Sequence, residues 1–234
     1  MINYHPQVEL LQAFVQGELS ASLAAGVAIH AELCSRCRQQ IDMLTEQYAQ
    51  QCFAAENGQH DAAVEQAKSI DFAVQDDELA DLFSEMLNDI TASDAISENQ
   101  QPSPQTVLFA GQQYQLPRAI SNIPQGKITQ LGKLSRSRLQ LNEGDVRTSL
   151  LHIEPGGSVP EHTHKGFELT LLLSGSFSDD QGHYQAGDFI MRDQNHQHQP
   201  FSEQGCLCYT VVNDALHFTK GLNRLLNPIG NLIY

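Results

Sequence analysis

The pattern Gly156-x5-His162-x-His164-x3-Glu168-x6-Gly175 constrains the fold more than any other stretch of this chain. On a strand, side chains two residues apart point the same way. His162, His164 and, past a turn or bulge, Glu168 can therefore face one interior. Downstream, Gly187-Asp188 precedes a strand-like run that ends near His198, with His196 as a rival to it. Three imidazoles and one carboxylate suit a divalent metal such as zinc, iron, manganese or nickel. The surrounding texture is β. Thr106 to Ala110 and Gln112 to Leu116 alternate like a hairpin around Gly111. Thr148–Ile153, Glu168–Leu173, Asp188–Met191 and Leu207–Val212 are short strand-like runs with no helical pattern between them. Regular short strands punctuated by Gly and Pro predict a β-barrel or sandwich.

A different cluster marks the start of the chain. In His30-Ala-Glu-Leu-Cys34-Ser-Arg-Cys37, the three donors are four and three residues apart. At about 100° per residue they fall on one helical stripe. An imidazole and two thiolates are three of the four ligands of a tetrahedral zinc site, and the fourth is most simply His5. The competing reading is an apolar stripe of Leu23, Val27, His30, Cys34, Cys37, Ile41 and Leu44, but such a stripe has no use for His30 at its centre. The spacing predicts one helix, capped by Ser20 or Ser22, from there to about Tyr48. An earlier helix starts with Pro6 at N1, carries Val8, Leu11, Phe14 and Val15, and stops at Gly17. Asn57-Gly58 reads as a turn, followed by a short helix from Asp61 to Lys68; Cys52 and His60 in this region are incidental. Asp76, Asp77 and Glu78 open an amphipathic helix with Leu79, Leu82, Phe83, Met86, Leu87 and Ile90 on one face and Asp81, Glu85 and Asp89 on the other. That face closes its own bundle or docks a partner.

The charge is lopsided. Residues 1–105 hold 17 Asp/Glu against 3 Lys/Arg, so nearly all of the net charge of -15 lies there. An acidic first half excludes direct nucleic-acid binding and favours a basic protein partner. The polar N-terminal stretch has no apolar core of a secretory leader, and no apolar run approaches the roughly 20 residues that span a bilayer. An odd count of five cysteines, two in metal-type spacing, fits a reducing compartment. A cytoplasmic protein is expected. The polar, proline-bearing stretch TASDAISENQQPSPQ divides the chain into a helical domain at 1–92, a linker at 93–105 and a β domain at 106–234. Late in the chain Cys206 and Cys208 share one side of a strand, as packing residues or as a thiol pair open to oxidants. His152, His183 and Arg147 are candidate acid/base or substrate-gripping groups that no spacing selects.

The Gly156 to Gly175 pattern resembles the first cupin motif position by position. The second motif is matched at Gly187 and His198, while Asp193 and Asn195 replace its usual Pro and Gly. With the His5…His30-x3-Cys34-x2-Cys37 unit ahead of it, the whole chain resembles the ChrR family of zinc-dependent anti-sigma factors. The runs SLLHIEPG, GSFSDDQG and GCLC carry that likeness further. The resemblance implies an α+β chain, a small zinc-binding helical bundle followed by a cupin β-barrel. The bundle, with residues 76–90 as its fourth helix, would grip an extracytoplasmic-function sigma factor. The cupin would sense singlet oxygen or related oxidants. His5, His30, Cys34 and Cys37 match the first zinc site, and His162, His164, Glu168 and His198 the second. The protein is then a regulator without catalytic residues; the alternative is a metal-dependent cupin dioxygenase or isomerase with a helical appendage.

Overall fold

The computed structural model describes residues 1–67, 76–92, 105–163, 166–193, 197–213 and 217–218. Its helices are α1 (Val8–Gln16), α2 (Ala21–Leu33), α3 (Ser35–Ala67), α4 (Asp76–Ala92) and the single turn α5 (Arg118–Ser121). The strands are β1 (Thr106–Phe109), β2 (Gln112–Gln115), β3 (Thr129–Leu131), β4 (Leu134–Leu139), β5 (Arg147–Ile153), β6 (Gly157–Ser158), β7 (His162–Thr163), β8 (Glu168–Asp179), β9 (Gly182–Gln185), β10 (Phe189–Arg192), β11 (Phe201–Ser202), β12 (Cys206–Val212) and β13 (His217–Phe218). Helices followed by a curled antiparallel sheet are the fold class the sequence implies. Two compact units emerge. One gathers Met1–Glu46 with Pro104–Tyr234; the other is Gln47–Ser103. The proposed linker at 93–105 falls, but for its last residue, outside the described residues.

The long strand β8 organises the sheet. Its first half pairs with β10 and β12, and its second half with β9 and β11, so the sheet curls around it. The strand period of two then sorts β12 between two layers. Leu207, Tyr209 and Val211 turn outward, where they form one core with Leu169 and Leu171 of β8, Leu11 of α1, and Val27 and Ile29 of α2. Cys206 and Cys208 turn inward with Leu172, Phe177, Tyr184 and Ile190. The hairpin β1–β2 forms as expected, with Ala110 and Gly111 both at positive φ in its turn.

Helix α2 lies directly on the outer face of the sheet. A Cβ on Gly26 would stand 2.6 Å from Leu169 Cδ2 and 3.5 Å from the Tyr209 ring, so only glycine permits this approach. Ser20 does occupy the N-cap position but caps nothing with its side chain; its hydroxyl lies 3.2 Å from that of Ser22. The Glu143 carboxylate, from the β4–β5 loop, instead accepts the Ser22 N–H at 3.1 Å, a negative charge at the positive end of the helix. The buried Tyr209 hydroxyl donates to the Ser22 carbonyl at 2.8 Å.

Three local expectations need correction. Pro6 is not at N1, since α1 begins at Val8 with Gln7 as its cap; Gly17 does end it, at φ 73°. The helix through the His-Cys cluster is two helices, because Cys34 is extended (φ -117°, ψ 103°) between α2 and α3. No turn forms at Asn57-Gly58, where α3 runs on to Ala67 and carries His60 within it. One glycine costs a helix only about 1 kcal/mol, too little to stop a helix this long.

Gly26→Leu should force Leu169 and Tyr209 apart and cost about 1–3 kcal/mol in urea unfolding. The same leucine at exposed Ala21 should change the midpoint little.

Candidate metal centres

His5, His30, Cys34 and Cys37 converge at the N-terminal end of the first unit, their donor atoms all within 4.8 Å of one another. His5 Nδ1 lies 3.3 Å from His30 Nε2, 3.5 Å from Cys34 Sγ and 3.4 Å from Cys37 Sγ. One ring nitrogen cannot hydrogen-bond three partners at once. Those lengths do match the edges of a zinc tetrahedron, about 3.4 Å between nitrogens and about 3.6 Å between nitrogen and sulfur. The extended backbone at Cys34 lets both sulfurs reach the pair of rings. The donor set and its spacing therefore fit zinc.

The β domain completes this cluster from behind. His30 Nδ1 donates to the Gly187 carbonyl at 2.8 Å, which leaves Nε2 as the donor atom facing His5. Burial pushes the His30 imidazole down to about 4, against the opposing pull of the Gly187 carbonyl, so the ring is neutral at pH 7, as a ligand must be. Burial, reinforced by Cys34, pushes the Cys37 thiol up to about 11, so a metal would have to displace its proton. Asp188, fully buried, accepts from the backbone N–H of Asn3 and Tyr4 through Oδ1 and from Gln185 through Oδ2. Phe189 N–H donates to the Tyr4 carbonyl at 3.0 Å. The first five residues are thus held against the start of β10. Gly187 itself sits at φ +94°, with the Ile2 side chain packed where a Cβ would be.

The second cluster lies inside the curled sheet. His162, Glu168 and His198 are buried with donor atoms in mutual reach. His162 and His198 exchange backbone hydrogen bonds at 3.1 and 3.2 Å, and their rings meet edge-on with centroids 4.3 Å apart. His162 Nδ1 donates to the Pro160 carbonyl at 2.8 Å, which presents Nε2 to the interior. His198 Nε2 stands 3.4 Å from Glu168 Oε2, the edge expected for a nitrogen and an oxygen on one metal. His198 is thus brought to this cluster. His164 and His196 both lie outside the described residues.

Cys206 and Cys208 do share a side, with sulfurs 3.9 Å apart, and Cys208 lines the cavity beside this cluster. The Cys208 thiol donates to Cys206, whose pKa falls below the usual thiol value, while that of Cys208 rises. The three unselected candidates stand elsewhere. His152 is in the outer core, 3.0 Å from the Tyr114 hydroxyl and stacked on Phe109; His183 is exposed beside the Ser178 hydroxyl; Arg147 is half-buried at the start of β5. Cys52 is exposed. Sequence reasoning missed Arg192, which lines the cavity, and Asp188, because nothing local distinguishes either from an ordinary strand-end polar residue.

Residues 128–215 match the family described as the ChrR cupin-like domain. The ChrR likeness extends beyond that stretch to both ends. The anti-sigma-E factor ChrR of Cereibacter sphaeroides is 28% identical over 231 residues, covering 97% of each chain. The crystal structure of Rhodobacter sphaeroides SigE in complex with the anti-sigma ChrR matches with a TM-score of 0.54 at 24% identity, covering 91% of this chain and 99% of that one. This second likeness shows the fold. Among the described residues no helix is long and apolar enough to cross a membrane.

Asp188→Ala would strand three backbone donors and free the chain start. It should lower stability by about 2–4 kcal/mol in urea unfolding, whereas alanine at exposed Asp180 should change it by less than about 0.5 kcal/mol.

Proposed function

We propose that this protein is a zinc-dependent anti-sigma factor. Its N-terminal segment, residues 1–92, sequesters an extracytoplasmic-function sigma factor in the cytoplasm. It releases that factor when the cupin meets singlet oxygen or a related oxidant. The tetrahedral convergence of His5, His30, Cys34 and Cys37, in a chain that resembles ChrR along its whole length, carries this reading.

Zinc bound there would supply folding energy to helices that have little core of their own. His5 and His30 would hold it through Nδ1 and Nε2, and Cys34 and Cys37 through their sulfurs. The gripping surface is helix α4. Phe83, Met86, Leu87 and Ile90 recur at helical spacing, and each is more than half exposed. Asp81, Glu85 and Asp89 flank them with negative charge suited to a basic partner.

On the sensing side, His162, Glu168 and His198 would hold the cupin metal, zinc or another divalent ion, and His164 would join them. The metal would act as an electrophile beside whatever enters the cavity. Cys208 lines that cavity, and Cys206, whose thiol its neighbour's hydrogen bond makes the more acidic of the two, would be the better nucleophile of the pair. Both sulfurs are almost fully buried, so only a small oxidant reaches them. The cavity bounded by His162, Glu168, His198 and Cys208 measures about 20 Å³, room for one or two water-sized groups rather than for the organic substrate of a dioxygenase or isomerase.

The test uses the full-length protein and each extracytoplasmic-function sigma factor of the source organism. The parent should form a one-to-one complex with one of them. Cys34→Ser and Cys37→Ser should each lose one zinc equivalent by elemental analysis and abolish that complex. Undiminished binding by both variants would end the zinc-dependent reading. Phe83→Ala should keep all its metal and weaken the sigma complex by about 10–100-fold, as for a buried aromatic anchor.

A further inference from the structure

The second metal cluster has an unexplained neighbour. Arg192, at the end of β10, is only 5% exposed. Its Nη2 donates to the Asp179 carboxylate and, at 3.0 Å, to the Tyr184 hydroxyl. The Tyr184 ring lies under the guanidinium, 5.4 Å from Cζ. One nitrogen is thus fixed. The other two, Nε and Nη1, are buried without a hydrogen-bond partner among the described residues. A guanidinium stays charged at any pH a protein survives, and burying its donors without acceptors is costly. Arg192 lines the same cavity as His162, Glu168, His198 and Cys208.

We propose that this cavity is a binding site for a small oxygen-bearing monoanion, held by Arg192 on one side and by the cupin metal on the other. The proposal rests on the metal reading of His162, Glu168 and His198. The charge count asks for it. A divalent ion with one carboxylate and neutral imidazoles carries +1, and Arg192 paired with Asp179 adds nothing. One monoanion brings the site to neutrality and gives the orphaned guanidinium donors their acceptor. The space of about 20 Å³ limits the ligand to one or two water-sized groups. Formate and the hydroperoxide anion belong to that class, and the latter is an oxidant that would sit against Cys208.

Formate is the probe, titrated calorimetrically into the zinc-loaded full-length protein, with metal content measured on the same sample. Formate should bind, and benzoate, too large for the cavity, should not. Arg192→Gln should keep two zinc equivalents and weaken formate binding by about ten- to hundredfold; Arg192→Lys should restore part of it. Val159 also lines the cavity, so Val159→Leu takes up its space while leaving Arg192 in the sequence, and should block formate even if Arg192→Gln fails to fold. No formate binding to a parent with both zincs in place would overturn the anion site and leave the metal reading standing. Formate binding that survives both Arg192→Gln and Val159→Leu would also overturn it. Should the parent hold no metal in the cupin, the metal reading fails. Formate binding that Arg192→Gln abolishes would then still support the Arg192 pocket, and its absence would overturn that too.

Discussion

The hydrogen bond from His30 Nδ1 to the Gly187 carbonyl is the contact on which both ends of the molecule depend. It is buried, it joins residues 157 apart in the chain, and it decides which nitrogen of His30 faces the cysteines. A ring held neutral and in one tautomer is ready to ligate; a ring free to rotate or protonate is not. Outer-shell partners of this kind typically govern metal affinity by 10–100-fold. The N-terminal cluster is therefore not self-contained. Its four donors come from the first 37 residues, but the orientation of one of them is set by the β domain.

Gly187 and Asp188 make that arrangement possible by dividing the work. Gly187 takes a left-handed turn closed to side-chained residues, which turns its carbonyl toward His30 and leaves a surface for Ile2. Asp188 gathers three backbone donors, two of them from the chain start. A carboxylate accepting several N–H groups in a dry setting is a strong and directional clamp. The glycine that opens the second cupin motif thus also positions the cluster at the other end of the sequence.

The sequence made the donor sets legible because histidine, cysteine and glutamate at fixed spacing have few other uses. The strands were legible because alternation survives burial on two faces: Leu207, Tyr209 and Val211 pack outward while Cys206 and Cys208 pack inward. What could not be read is whatever depends on distant partners. The spacing of His30, Cys34 and Cys37 suits an unbroken helix and a broken one equally, and no Gly or Pro marks the extended Cys34. Asn-Gly signals a turn between strands, yet within α3 the helix simply continues. The carboxylate at the start of α2 arrives from Glu143, 121 residues on, where a local rule looks for serine. Arg192 ends a strand as surface arginines do, and only the curl of β8 brings it inside.

For the proposed regulator, the sheet offers two short mechanical links between its metal clusters. The first is β10. Gly187 at its entry touches His30, and Arg192 at its far end is registered with Glu168; five residues of extended chain span only about 16 Å. The second is β8. Glu168 turns inward toward His162 and His198, while its neighbour Leu169 turns outward beneath Gly26 of α2. A shift in strand position at Glu168 is felt by Leu169 at once, because the two share a peptide unit. Packed interiors resist continuous deformation, so such a shift is absorbed as a change between discrete packings. The coupling that anti-sigma release requires is then the free-energy difference between those packings in their contacts with α2 and His30. A sheet loosely tethered to the N-terminal helices would give no such difference. Here the close seat of Leu169 under Gly26, with no room for a Cβ between them, and the 2.8 Å hydrogen bond leave little slack on either route.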